Sequence, residues 1–316
     1  MTTLLVSTVG GHLAQLHELM PRFSGVETED RLWVTHRTEQ SESLLTGEDV
    51  VWVPYIEERD LLGVVRAFGP AYKLIGSRGV DAVISTGSAI AVAYLAAARV
   101  RRRRAVFIES TAFIRSRSRT GRIVQRYPGV STYTQSLTMR THSWHYEGSV
   151  LDSYHAEPMR SETPTRLVVT VGTSQSFGYR RLLERLVEII PSGVDVLWQT
   201  GCTDVEGLEL EATPWVPHAD LAAAAADADV VIAHAGGGSA LTALRAGRRP
   251  VLVPRSSESG DFNDNHQHEI AELLADRQLA IVRDVDDLSW ADIVEASTWR
   301  VRRTDNESPF HIGGTP

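Results

Sequence analysis

The sequence predicts an α/β protein made of two consecutive Rossmann-like domains facing one another across a cleft. Three observations carry that expectation. The chain has 316 residues, about twice the length of a typical domain. Short apolar runs of strand length alternate with helical stretches in both halves, as in parallel sheets covered by helices. Turns of small residues between strand and helix recur at Val9-Gly10-Gly11-His12, Thr86-Gly87-Ser88, Gly172-Thr173-Ser174 and Gly236-Gly237-Gly238. In a parallel sheet all of these fall at the carboxyl ends of the strands, where open α/β sheets bind their ligands.

Composition narrows the class. Hydrophobic residues make up 42% and charged residues 23% of the chain, and no apolar run approaches the roughly 18 residues of a membrane span. The start, MTTLLVSTVGGH, lacks the basic head of a signal peptide and merges directly into a strand and turn. A single cysteine, Cys202, permits no internal disulfide, so a cytoplasmic protein is expected. The net charge of −8 is unevenly spread: residues 1–160 carry 19 basic and 16 acidic side chains, residues 161–316 carry 13 and 24. Ten arginines lie between Arg99 and Arg126 against one acid, Glu109. A charge run is most often solvated surface, the reading that suits Arg101 to Arg104. Arginines Arg115, Arg117, Arg119 and Arg122 also suit an anionic membrane face or a diphosphate.

Taken in order, Thr3 to Thr8 reads as a buried strand, followed by a helix with Leu13, Leu16 and Leu19 on one side. Leu32 to Thr35 and Val50 to Val53 are further strands, Asp60 to Ser77 is helical, and Ala82 to Ser85 is a strand. Ser88 stands at the cap of the helix Ala89 to Ala98, and Ala105 to Ile108 is a strand that delivers Glu109 to its end. Between Gly148 and Thr165 periodicity fades and prolines gather, which marks a linker. From Arg166 a strand, a small-residue turn and the helix Tyr179 to Ile190 open the second domain as they opened the first. Val194 to Gln199 is a strand, Ala219 to Ala226 a helix and Val230 to Ala233 a buried strand. The glycine turn then leads into a helix from Ser239, with Ser239 at its cap. Pro250 to Pro254 is a strand, and a polar-headed helix opens at Asp264. From Trp299 onward at most a short helix and then a loose tail are expected.

The glycine turn at 236–238 leaves backbone amides open at a helix N-terminus, an arrangement that attracts phosphate, although glycines after a strand also serve tight packing alone. The surrounding residues are more specific. His234-Ala235-Gly236-Gly237-Gly238-Ser239, an apolar strand ending in Pro254, and Asp264-Asn265-His266-Gln267 resemble the nucleotide-sugar-binding half of family 28-type glycosyltransferases, of GT-B fold. The nearest likeness in kind is to the Alg13-type catalytic subunit and its bacterial exopolysaccharide counterpart. Residues 1–155 resemble the Alg14-type acceptor subunit at Gly10 to Leu16, Ser85-Thr86-Gly87, Ile108-Glu109-Ser110 and Trp144 to Val150. The resemblance thus implies a fusion: an acceptor and membrane-side domain at 1–155, a donor domain at 165–298, and a tail at 299–316.

What the resemblance implies for chemistry is an inverting, metal-independent hexosyl transfer from a nucleotide sugar, with UDP as the expected nucleotide, to a polyprenyl-diphosphate-linked saccharide. The protein would lie on the inner face of the cell membrane and need no cofactor, obligate partner subunit or nucleic acid. By resemblance Gly172, Thr173, Ser174, Gly236, Gly237, Gly238 and Ser239 hold the diphosphate, with His234 beside them, while Asp264, Asn265, His266 and Gln267 contact the sugar. Gly10, Gly11 and Ser88, with the arginines Arg115 to Arg122, would serve the acceptor. Where eukaryotic and peptidoglycan relatives have a glutamate expected to bind ribose, this chain has Thr242, which turns the substrate reading toward surface or exopolysaccharide synthesis. The residues themselves add that the Gly-x-Ser-x-Gly and Gly-Lys-Ser/Thr signatures are absent. His266 and His268 diverge on a helix, so no metal set is evident. A transferase needs a base for the acceptor hydroxyl, and His12 and Glu109 both qualify, His12 slightly favoured by its place at a glycine turn. Two readings stay open beside transfer: a nucleotide-sugar epimerase of the same architecture, and a non-catalytic sugar-nucleotide-binding subunit.

Overall fold

The apolar run Thr2–Ser7 forms β1, buried along its last five residues. The computed structural model describes residues 1–57, 60–160, 163–172, 177–257, 260–261, 266–304 and 308–313, with the backbone alone described at His266. By its internal contacts the chain divides into two units, Met1–Asp152 with Asn306–Pro316, and Ser153–Asp305.

In the first unit β1 is followed by α1 (Gly11–Leu19), β2 (Phe23–Ser24), β3 (Arg31–Thr35), α2 (Glu39–Leu44), β4 (Val50–Trp52), α3 (Leu61–Ser77) and β5 (Val80–Gly87). Then come α4 (Ala89–Val100), β6 (Arg104–Ile108), α5 (Arg119–Val124), β7 (Val130–Thr134) and β8 (Trp144–Tyr146). Seven of these strands form one parallel sheet in the order β4-β3-β1-β5-β6-β7-β8. Strands buried on both faces need no polar alternation, which is why LLV in β1 and AVFI in β6 are continuous apolar runs. Leu4, Val6, Val34, Val83 and Phe107 on one face pack against α3, α4 and Val124 of α5. Helix α3 starts where the Asp60 carboxylate accepts from the Gly63 amide at 2.8 Å, a side-chain cap on an otherwise orphaned donor.

The second unit runs β9 (Tyr154–Pro158), β10 (Arg166–Thr170), α6 (Arg180–Ile189), β11 (Asp195–Gln199), β12 (Ala212–Thr213), α7 (His218–Asp227) and β13 (Val230–Ala233). It continues with α8 (Gly237–Arg245), β14 (Val251–Leu252), α9 (His266–Asp276), β15 (Ile281–Val282), α10 (Trp290–Ser297) and β16 (Trp299–Arg303). Its sheet is again parallel, ordered β12-β11-β10-β13-β14-β15. Leu167, Val169 and Ile232 point to the face covered by α6 and α10, and Val168 and Val231 to the face covered by α7 and α8.

Three expectations are corrected. The stretch from Gly148 to Thr165 is not featureless: it holds a 3-10 turn at Val150–Ser153 and strand β9. The described residues from Trp299 onward form strands rather than a short helix. The first, β16, pairs antiparallel with β9, and β17 (Phe310–His311) pairs with β2 of the first unit. Phe310 and Ile312 are fully buried there, the Tyr133 hydroxyl donates to the Gly313 carbonyl at 2.7 Å, and Arg104 donates to the carbonyls of Gly25 and Ile312. Two apolar residues in a polar stretch are too few to signal a strand, so long-range packing alone reveals it. Third, Arg101 to Arg104 are not all solvated: Arg101 lies 3.8 Å over the Tyr72 ring, Arg103 is 3.3 Å from Asp81, and Arg102 remains exposed.

Candidate functional site

In the first unit the turns after β1 and β5 meet. Gly10, with φ at +81°, takes a conformation that suits glycine, and α1 begins at the next residue. Its amide donates to Gln40 Oε1 at 2.8 Å, so that donor is already engaged by the protein. The His12 ring packs against Gly87, where an added Cβ would stand 3.0 Å from its Cε1. Its Nδ1 lies 2.7 Å from the Thr86 carbonyl, and the Thr86 hydroxyl donates to the His12 carbonyl at 2.8 Å. A carbonyl only accepts, so Nδ1 carries the proton. Ser88 sits at the cap of α4, though its side chain caps no amide.

Glu109 has a different setting. Only 2% exposed, it accepts from the Ser118 amide and hydroxyl at 3.0 Å each and from the Ser110 amide at 3.3 Å. Burial pushes its carboxyl up to about 7, against the lowering pull of Ser118, Ser110 and the Arg117 charge. These contacts fix the segment that carries the arginines. Arg117 is built into that segment, 5.0 Å over the Trp144 ring and bonded to Gln125 at 3.0 Å, whereas Arg115, Arg119 and Arg122 are exposed. Buried Gln15, which sequence reasoning passed over, joins α1 to this edge: it donates to the Ser110 hydroxyl and accepts from the Thr111 amide and from Gln135. A lone glutamine on an apolar helix face gives no signal of such a role.

In the second unit Gly172 after β10, Gly236 after β13 and Arg255 after β14 all act on His234. Gly172 (φ +82°) and Gly236 close on its ring from two directions; a Cβ would lie 2.6 Å from Cε1 at the first and 2.4 Å from Nε2 at the second. Ala235 is held at φ +59°, outside the usual range of a side-chain-bearing residue. Burial, with the Arg255 charge adding to it and the Thr170 carbonyl opposing, pushes His234 down to about 3, so the ring is neutral at physiological pH. Helix α8 begins at Gly237 with Gly236 at its cap and no side-chain cap hydrogen bond among the described residues. Ser239 therefore lies in the first turn rather than at the cap, because Gly237 and Gly238 themselves enter the helix. Such an end offers donors and about half a positive charge. The Thr242 hydroxyl donates to the Gly238 carbonyl at 3.0 Å, within α8.

Gln267 is buried on α9, and its Oε1 accepts from the Arg255 amide at 3.0 Å. Arg255, unflagged by the sequence because one arginine after a strand is unremarkable, is 2% exposed and donates from Nη2 to the carbonyls of Val171 at 2.7 Å and Phe177 at 3.1 Å. Thr173, Ser174, Asp264 and Asn265, and the side chain of His266, lie outside the described residues. Among the described residues no group of three or more His, Cys, Asp or Glu is placed to hold a metal ion. A groove of about 620 Å³ lined by Ile190, Val194, Trp198, Leu208 and Leu210 opens beside the start of β11, away from the glycine turns.

Residues 166–296 match the Glycosyltransferase family 28 C-terminal domain. The UDP-N-acetylglucosamine--N-acetylmuramyl-(pentapeptide) pyrophosphoryl-undecaprenol N-acetylglucosamine transferase of Chlorobium phaeobacteroides is 25% identical over 258 residues, 72% of this chain and 65% of that protein. The UDP-N-acetylglucosamine transferase subunit ALG13 of Yarrowia lipolytica is 46% identical over 72 residues, 22% of this chain and 35% of its own length. The chain thus spans less than two thirds of either relative. In three dimensions it is similar to the crystal structure of Acinetobacter baumannii MurG, with a TM-score of 0.57 at 19% identity, covering 93% of this chain and 89% of that one. The two parallel sheets are those of a GT-B fold.

Proposed function

We propose that this chain, with its match to the family 28 C-terminal domain in the second unit and its GT-B fold, is a glycosyltransferase that moves a sugar from a UDP-sugar to a polyprenyl-diphosphate-linked saccharide with inversion at the anomeric carbon. The observation that carries the donor half is the uncapped start of α8 at Gly236–Gly238, closed against a neutral His234 by the Gly172 turn. Backbone amides and a helix dipole neutralise a diphosphate there, with Ser239 in the same turn. Thr173 and Ser174 join the phosphate set, and Asp264, Asn265, His266 and Gln267 the sugar set.

On this reading the acceptor hydroxyl oxygen forms a bond to the sugar's anomeric carbon from the face opposite the bond that breaks. The bonding pair leaves with the UDP, whose charge rests on the α8 amides; losing one such donor typically costs about 10²–10³ in rate. The hydroxyl proton goes to His12 Nε2, the ring nitrogen other than the one that donates to Thr86. Glu109, enclosed by Ser118 and Ser110, shapes the acceptor side rather than taking the proton. The units divide the labour as a fusion of acceptor-type and donor-type subunits, and Thr242 in place of a ribose-binding glutamate favours surface or exopolysaccharide synthesis.

No described helix is long and apolar enough to cross a membrane. Access to a lipid acceptor instead comes from docking on an anionic inner-membrane surface. Leu61, Leu62, Val65 and Tyr72 are exposed along α3, beside Arg66 and Lys73, and α3 packs on the same face of the sheet as α5 with its exposed Arg119 and Arg122. An apolar stripe with a basic flank suits that surface. The test of the function is transfer of label from a panel of UDP-sugars into an extractable polyprenyl-diphosphate saccharide. Epimerised donor without acceptor would instead establish the epimerase, and tight UDP binding without turnover on any acceptor the binding subunit.

A further inference from the structure

Arg255 is a buried cation that the transfer reaction as drawn above does not use. It follows β14 by the short run Val253-Pro254, and its position is fixed from several directions. Its amide is taken by Gln267 Oε1, its Nη2 reaches the carbonyls of Val171 and Phe177, and its guanidinium stacks 5.2 Å from the centre of the Tyr179 ring. Tyr179 is itself pinned, its hydroxyl donating to the Pro254 carbonyl at 2.9 Å and its amide to the Thr203 hydroxyl at 3.0 Å. The two carbonyls that Arg255 holds, at 171 and 177, lie on either side of Gly172 in the chain, and the guanidinium charge is felt at His234, between Gly172 and Gly236.

We infer that Arg255 is a positioning residue for the donor's diphosphate, its guanidinium fixing the Gly172 turn against the start of α8 and supplying a permanent positive charge beneath the phosphates. This rests on the donor-site reading above. A guanidinium stays ionised on burial, and its planar fork serves two carbonyls while the charge still acts on a neighbouring anion. In a site shielded from water that charge is screened little by salt.

The test compares binding of UDP and of uridine, by calorimetry, to the full chain and to Arg255→Lys, Arg255→Gln and Arg255→Met. The wild type is expected to prefer UDP over uridine. That preference should fall about tenfold or more in Arg255→Gln and Arg255→Met and be partly kept in Arg255→Lys, because charge and not bulk carries it. Uridine affinity should stay within about twofold of wild type throughout, a readout that a merely structural role would move. Equal loss of UDP and uridine binding in the Gln and Met variants overturns the inference, as does an unchanged preference. If Arg255→Met fails to fold, Arg255→Gln, which keeps donors for the two carbonyls without the charge, decides the matter against Arg255→Lys. A wild-type protein that binds UDP no better than uridine would overturn the donor-site reading itself, which separates the two failures.

Discussion

Gly236→Ala adds one carbon at the most crowded point of the second unit. Gly236 has φ −72° and ψ 137°, ordinary for alanine, so backbone strain is not the obstacle. The obstacle is contact: the new Cβ would lie 2.4 Å from His234 Nε2 and 2.8 Å from Cε1, about 1 Å inside normal separation. The ring cannot retreat toward Gly172, which already closes on it from another direction. Either the ring or the start of α8 must shift, and overpacking of this kind costs about 1–3 kcal/mol. At about 2–4 °C per kcal/mol, the melting temperature should fall by about 2–12 °C. Because the displaced backbone carries the amides proposed to hold the diphosphate, UDP affinity should fall by about tenfold or more. Adding His234→Ala opens room for the methyl group. The double variant should then be nearly as stable as His234→Ala alone, a coupling of about 1–3 kcal/mol measured by thermal unfolding. Additive penalties, or a Gly236→Ala protein with unchanged melting and UDP binding, would refute the claim that the glycine is required by the close approach of His234.

If His12 takes the acceptor's proton, His12→Ala should lower kcat by about 10²–10⁴ while leaving UDP affinity unchanged, and Glu109→Gln should lower kcat by less than about tenfold; steady-state kinetics on both variants decides between them. Glu109 also predicts a pH effect. Its folded value of about 7 lies above its ordinary 4.5, because burial favours the neutral acid, so the stability it contributes is fully present below about pH 4.5 and is lost as pH rises through 7. Glu109→Gln keeps a neutral side chain, so wild type and variant should diverge between about pH 5 and 8, the variant gaining up to about 3 kcal/mol in relative terms; parallel melting curves across that range would count against the buried acid. Ending the chain after Thr304 removes Phe310 and Ile312 from the first unit. Two fully buried side chains are worth about 3–6 kcal/mol, so this truncation should lower the unfolding midpoint markedly, and an unchanged midpoint would show the tail to be dispensable. Replacing Leu62 and Val65 with glutamate should weaken sedimentation with anionic vesicles more than Arg119→Gln with Arg122→Gln does, since the apolar stripe contributes in addition to charge.

Much of the architecture was legible because its signals are local. The buried strands β1, β10 and β13 are continuous apolar runs, and the small-residue turns after them announce helix starts at the sheet's carboxyl edge. What stayed hidden depends on distance in sequence. β9 and β16 are more than a hundred residues apart and find one another only in the fold, and Phe310 becomes a core residue only beside Phe23 and Tyr133. The same holds at the site. His12 and the glycines stand out in the sequence, but the Nδ1 proton of His12 is held by the Thr86 carbonyl on β5, and the enclosure of Glu109 is set by Ser118. Arg255 lies in no motif and Gln15 carries no distinguishing signal within Gly10 to Leu16, so only their hydrogen bonds reveal what they hold.

The central claim is acceptor-dependent sugar transfer, and following the anomeric proton by NMR during reaction tests it most directly. The protein is supplied with an α-linked UDP-sugar, with and without a polyprenyl-diphosphate saccharide. The account predicts that the donor signal decays only when acceptor is present, that UDP appears in equal amount, and that the new linkage is β. Loss of the donor signal without acceptor, or a product that keeps the α configuration, would contradict it.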